Sequence, residues 1–174
     1  MLDKWLFKQI DNSGLIVFRV VFGFLLAVEA FGAIATGWVQ RILIEPEFTF
    51  NFIGFDFLQP LPGDGMIYYY AIMGVLGIWV MVGFKYKFSI AAYALMWTAV
   101  YLMQKSSYNN HYYLLMLLCF MMILLPAQRF ASVDAWLKPA IKRISMPHWC
   151  WLFIVLQLFV VYTYAAVAKF YPDW

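Results

Sequence analysis

The 174-residue chain is 66% hydrophobic and 12% charged, with a mean hydropathy of +0.77, a composition that excludes a soluble domain of this size. It reads as an integral membrane protein, and its net charge of +3 is an orientation signal to be read loop by loop rather than a nucleic-acid footprint. Aromatic residues make up 21% of the chain, more than core filling demands, and Trp and Tyr favour the two bilayer interfaces.

The first span is predicted over about 13–36, long enough to cross a hydrocarbon core of about 30 Å at 1.5 Å per residue. Lys4 and Lys8 precede it and Ala33-Ile34-Ala35 closes it, as in a signal peptide. Arg19 and Glu29 interrupt the run and it is too long, so a cleaved leader is not expected. Arg19, near the start, reads as a snorkelling anchor. Glu29 lies too deep for that. It is either a functional intramembrane carboxyl or a neutral, hydrogen-bonded core glutamic acid.

The connection over 38–65 carries Glu45, Glu47, Asp56 and Asp64, and Pro46, Pro60 and Pro62 forbid a continuous helix. Phe48, Phe50 and Phe52 alternate, which suggests an extended segment with one greasy face, either a plain interfacial loop, the favoured reading, or a lid. Spans over about 66–84 and 88–104 follow, separated by the charged Lys85-Tyr86-Lys87 turn. Then comes the polar run Lys105-Ser-Ser-Tyr-Asn-Asn-His111.

Tyr112 to Leu125 alone gives about 21 Å of helix, so the fourth span is predicted over about 109–127, which sinks Asn109, Asn110 and His111 below the membrane surface. After Pro126, the residues Val133, Trp136, Leu137, Ala140, Ile141 and Ile144 share one helical face, with Lys138, Lys142 and Arg143 opposite. This predicts an interfacial amphipathic helix over about 133–144, capped by Ser132 and bent at Pro139. A fifth span over about 149–168 ends at Lys169. The expected fold is therefore all-α, a membrane bundle of about five transmembrane helices plus one interfacial helix in a single domain.

The N-terminus, the second connection and the fourth hold Lys4, Lys8, Lys85, Lys87, Arg129, Lys138, Lys142 and Arg143, whereas the first and third connections and the tail hold only Arg41, Lys105 and Lys169. The positive-inside tendency then puts the N-terminus inside, with the polar run and Lys169 on the outer face. In a bacterium this would be the cytoplasmic membrane. Cys119 and Cys150 have no metal or disulfide spacing and read as packing residues; no metal is expected.

Lys169, His111, Asn109, Asn110 and Glu29 form a small polar constellation in greasy surroundings. Desolvation lowers a lysine's pKa and can make it a base, asparagine can donate to an oxyanion, and histidine can shuttle a proton. On the residues alone the plainer assignment is preferred, with Lys169 an end anchor and His111 a capping residue.

The motif set Lys105-Ser-Ser-Tyr-Asn-Asn-His-Tyr-Tyr-Leu114, Ala127-Gln-Arg-Phe-Ala-Ser-Val-Asp-Ala-Trp136 and Val161-Tyr-Thr-Tyr-Ala-Ala-Val-Ala-Lys-Phe-Tyr-Pro-Asp-Trp174, with Leu58-Gln-Pro-Leu-Pro62 and Gly83-Phe-Lys-Tyr-Lys87 before it, resembles the HTTM-type membrane domain of vitamin K-dependent gamma-glutamyl carboxylases. The resemblance spans the chain and is most specific from Lys105 onward. It implies a carbon–carbon lyase with a quinol epoxidase half-reaction, in which Lys169 deprotonates reduced vitamin K (phylloquinol or menaquinol). Oxygen addition then yields an epoxide and a strong base, and that base serves carboxylation of a peptide glutamate by carbon dioxide.

The resemblance also implies that Asn110 and His111 act with Lys169, and Tyr108, Asn109 and Glu29 are expected to contact the quinol. Ala168 departs from the vertebrate enzymes, which carry a second lysine there. Family members continue into a large outer domain, so the chain is expected to be the N-terminal part of a longer protein, and carboxylation by this part alone is not expected. The glutamate-bearing substrate is not legible. The alternative is a non-catalytic membrane module that binds a quinone, a lipid or a protein partner.

Overall fold

The computed structural model describes residues 2–170, so the Tyr171–Trp174 end of the C-terminal motif lies outside it. Helices run over Leu2–Leu6 (α1), Ser13–Ala35 (α2), Gly65–Val82 (α3), Tyr86–Met103 (α4), Asn110–Leu124 (α5), Val133–Leu137 (α6) and His148–Ala168 (α7). Helices α2, α3 and α7 are long and apolar enough to cross a membrane by length and composition. Helix α4 has 18 residues and α5 has 15. The chain is an all-α membrane bundle, and its sheet content among the described residues is one pair of three-residue strands.

Apolar side chains alone do not drive helices together in lipid, so small residues and interhelical hydrogen bonds set the packing. Helices α2 and α3 touch backbone to backbone. A Cβ added to Gly77 would stand 2.6 Å from the Ala27 nitrogen, and one added to Gly74 would enter the Phe31 ring. Tyrosines then tie α4 to its neighbours: Tyr93 donates to Leu26 O of α2 at 3.0 Å, Tyr86 to Met122 O of α5 at 2.8 Å, and Tyr69 of α3 to Met96 O at 2.9 Å. Cys119 and Cys150 are buried free thiols.

The basic segments meet at one end of the bundle. Strand β1, Gln9–Asp11, pairs antiparallel with β2, Ser145–Pro147, with Ile10 opposite Met146. The Asp134 carboxylate accepts from the backbone N–H groups of Lys85 and Tyr86 at 2.8 and 2.9 Å, capping α4, while its own N–H donates to Gly83 O. Gly83 sits at φ +69°, and a Cβ there would press on Ser132 and Arg19.

Arg19 is a correction to the sequence reading. It does not snorkel but is fully buried, donating from Nη1 to Ala127 O at 2.9 Å and Phe130 O at 3.3 Å, and from Nη2 to Ala131 O at 2.6 Å. Pro126 ends the α5 path, so the following carbonyls lack helical partners, and a planar five-donor guanidinium satisfies several together.

The amphipathic stretch is divided at Lys138: α6 stops at Leu137 and a 3-10 turn, Pro139–Ile141, follows. Ser132 caps α6, accepting from the Ala135 N–H at 3.0 Å. Trp136, Leu137 and Ile144 are exposed, leaving the greasy face open.

Candidate functional site

At the other end of the bundle, the connection after the π-helical turn Gln40–Ile44 lies across the polar run. Lys105 N–H donates to Phe50 O at 2.6 Å, Phe52 N–H to Leu102 O at 3.1 Å, and Phe52 stacks on Tyr101 with ring centres 5.3 Å apart. The alternation of phenylalanines thus reflects an extended stretch that pairs with 102–105, while Phe48 and Phe50 are exposed. Gln104, buried at the end of α4, fastens this corner. Its Oε1 accepts from Phe50 N–H at 3.1 Å and its Nε2 donates to Ile42 O at 3.3 Å.

Helix α5 begins at Asn110, upstream of the apolar run. Its cap is Asn109, whose Oδ1 accepts from the His111 backbone N–H at 2.8 Å. That bond fixes the atom as the amide oxygen. His111 Nδ1 also lies 2.8 Å from it. An amide oxygen only accepts, so Nδ1 carries a proton, and in the neutral imidazole Nε2 is then the acceptor. The Tyr108 hydroxyl donates to Asn110 Oδ1 at 2.9 Å, which directs the oxygen of that amide inward to the segment and leaves its two N–H donors for a ligand. Tyr108, Asn109, Asn110 and His111 are all exposed.

The structure therefore brings these four residues together. Helix capping falls to Asn109 rather than to His111.

Glu29 is half-buried in α2 and turned toward the Tyr112 hydroxyl, with Tyr70 and Tyr93 within electrostatic reach. It faces the bundle, one residue removed from His111 through Tyr112. Tyr112 is held between two indoles: its ring meets Trp97 edge-on at 5.2 Å and Trp38 at 6.5 Å, and Trp97 Nε1 donates to Tyr112 O at 3.2 Å. These rings and Tyr70, Gln104 and Ser107 enclose a cavity of about 20 Å³, room for one water. Sequence reasoning missed this aromatic chamber. The one signal for it was Gln104, a polar residue closing an apolar span.

Lys169 caps the C-terminus of α7 and is exposed, its N–H bonded to Ala166 O at 3.2 Å. Helix α7 contacts α1 and β2 at its own N-terminal end and is otherwise largely uncovered, Cys150 being its buried side chain. Strand β2, which leads directly into α7, pairs with β1 at the basic end, so the N-terminus of α7 lies there and Lys169 at the far end of that helix. The lysine and the Tyr108–His111 segment are thus borne on different helices. Among the described residues, no three His, Cys, Asp or Glu side chains converge as metal ligands.

A family model described as the HTTM domain matches residues 7–174. No solved structure matches the chain.

Proposed function

The chain belongs to the HTTM domain family, the membrane domain typical of vitamin K-dependent gamma-glutamyl carboxylases, and on that premise we propose that it is a quinol-handling membrane enzyme domain. The observation that carries this reading is the arrangement at the start of α5, where an imidazole acceptor and two amide donors are preset at an exposed edge. That donor and acceptor set fits a quinol hydroxyl. His111 Nε2 accepts its hydrogen bond, and the Asn110 amide donates to the oxygen as negative charge develops there.

The water-sized chamber behind Tyr112 is too small for a quinone ring, so the ring sits against the exposed Tyr108–His111 edge, with lipid as its route of entry. Lys169 is the base. It stands exposed at the C-terminal end of the apolar helix α7. Glu29 supports the edge from behind through Tyr112. When bound, reduced vitamin K supplies, with oxygen, the strong base that serves carboxylation of a peptide glutamate by carbon dioxide.

Quinol epoxide formation by membranes carrying Asn110→Ala or His111→Ala tests the assignment. A fall of at least about tenfold for each, at unchanged expression, is expected, as for loss of a hydrogen bond to a developing charge. Wild-type rates in both variants would contradict it and favour a non-catalytic module.

A further inference from the structure

Between the basic end of α5 and the first three turns of α7 runs a groove of about 680 Å³ whose walls are wholly apolar, among them Trp5, Leu124, Trp149, Leu152, Phe153 and Leu156. Two cations lie near its basic end, outside the apolar lining itself. Lys87 Nζ donates to the carbonyls of Ile123 and Leu125, which flank the wall residue Leu124, and so keeps one of its three protons uncommitted. Arg129 lies within electrostatic reach of Lys87, and both lie within reach of Cys150, next to the wall residue Trp149.

No carboxylate answers them. The acids at this end are Asp3, Asp11 and Asp134; Asp134 caps α4, Asp11 accepts from Ser13 N–H at 2.9 Å, and no ion pair joins Lys87 or Arg129 to any of the three among the described residues. Two neighbouring like charges without a carboxylate counterion among the described residues, close to the end of an apolar groove, suit an anionic head on an apolar tail.

From this we infer that the groove is a binding site for an anionic phospholipid, its phosphate between Arg129 and Lys87 and one acyl chain along α7. A neutral quinol does not explain the paired cations. The groove also stops at Phe159, ten residues before Lys169, about 15 Å along the helix, so the two sites are separate. The inference stands apart from the proposed reaction.

The test is native mass spectrometry of the purified chain offered equal amounts of phosphatidylglycerol and phosphatidylcholine. Preferential retention of phosphatidylglycerol is expected, reduced about fivefold by Arg129→Gln, since each cation at a membrane surface contributes about that factor. Arg129→Lys keeps the preference, Leu156→Trp, which fills the groove, lowers retention, and Lys105→Gln, the same charge change at the opposite end, leaves it unaltered. Equal retention of the two lipids by wild type would overturn the inference. So would an equal loss in Arg129→Gln and Lys105→Gln, which would mean net charge alone, or displacement of the lipid by a neutral quinone, which would give the groove to a quinol tail.

Discussion

Arg19 Nη2 donates to Ala131 O across 2.6 Å, joining the first long helix to a residue 112 positions later whose backbone is held at φ +47°. A positive φ is unfavourable for alanine, and the guanidinium bonds to Ala127, Phe130 and Ala131 hold that conformation in place. Replacing Arg19 by Gln strands these carbonyls in a buried setting. A loss of at least about 2 kcal/mol is expected, with Arg19→Lys intermediate because an ammonium cannot span the three acceptors. Thermal unfolding in detergent measures it, and wild-type stability in both variants would refute the clamp.

Asp134 and Gly83 form the adjoining half of this knot. Asp134→Ala removes two acceptors from the first turn of α4 and should cost about 1–2 kcal/mol, with Asp134→Asn costing less because one acceptor remains. Gly83→Ala should be worse than a helix-interior Gly→Ala, since it adds left-handed strain to a clash with Ser132. Limited proteolysis of the 83–85 turn would rise in all three variants.

Close packing of α2 on α3 makes Gly77 intolerant of size. Gly77→Leu should lower stability by about 1–3 kcal/mol or more through forced separation of the backbones, whereas Gly14→Ala, with open space around it, should be neutral. The same unfolding assay separates the two.

Much of the architecture was legible in periodicity and loop chemistry. Pro126, Pro139 and the cap at Ser132 mark breaks that composition alone announces, and Asn109 to His111 begin a helix because the apolar run after them is too short, although the cap there is Asn109 and not the expected His111. Arg19 was misread because a charge near a helix end resembles an anchor, and only the fold shows the carbonyls that face it. The β1–β2 pair was invisible, since three-residue strands have no period to detect. At the candidate site, the local bonds among Tyr108, Asn109, Asn110 and His111 follow from sequence proximity. The Trp38–Tyr112–Trp97 chamber joins three segments and could not be read from any one of them.

Glu29 and Tyr112 should act as a unit. Glu29→Gln and Tyr112→Phe are each expected to lower quinol turnover about five- to tenfold, the scale of one hydrogen bond, and the double variant should be no slower than the worse single one. Additive losses at matched expression would show that the two residues act separately.

The most direct measurement is quinol epoxide formation by membranes carrying the protein, supplied with reduced vitamin K and oxygen, for wild type and Lys169→Ala at equal expression. The proposed role of Lys169 as base predicts product from wild type and a loss of at least about a hundredfold in the variant. Equal product from both, or none from either, would contradict it and leave a membrane module that binds without catalysing.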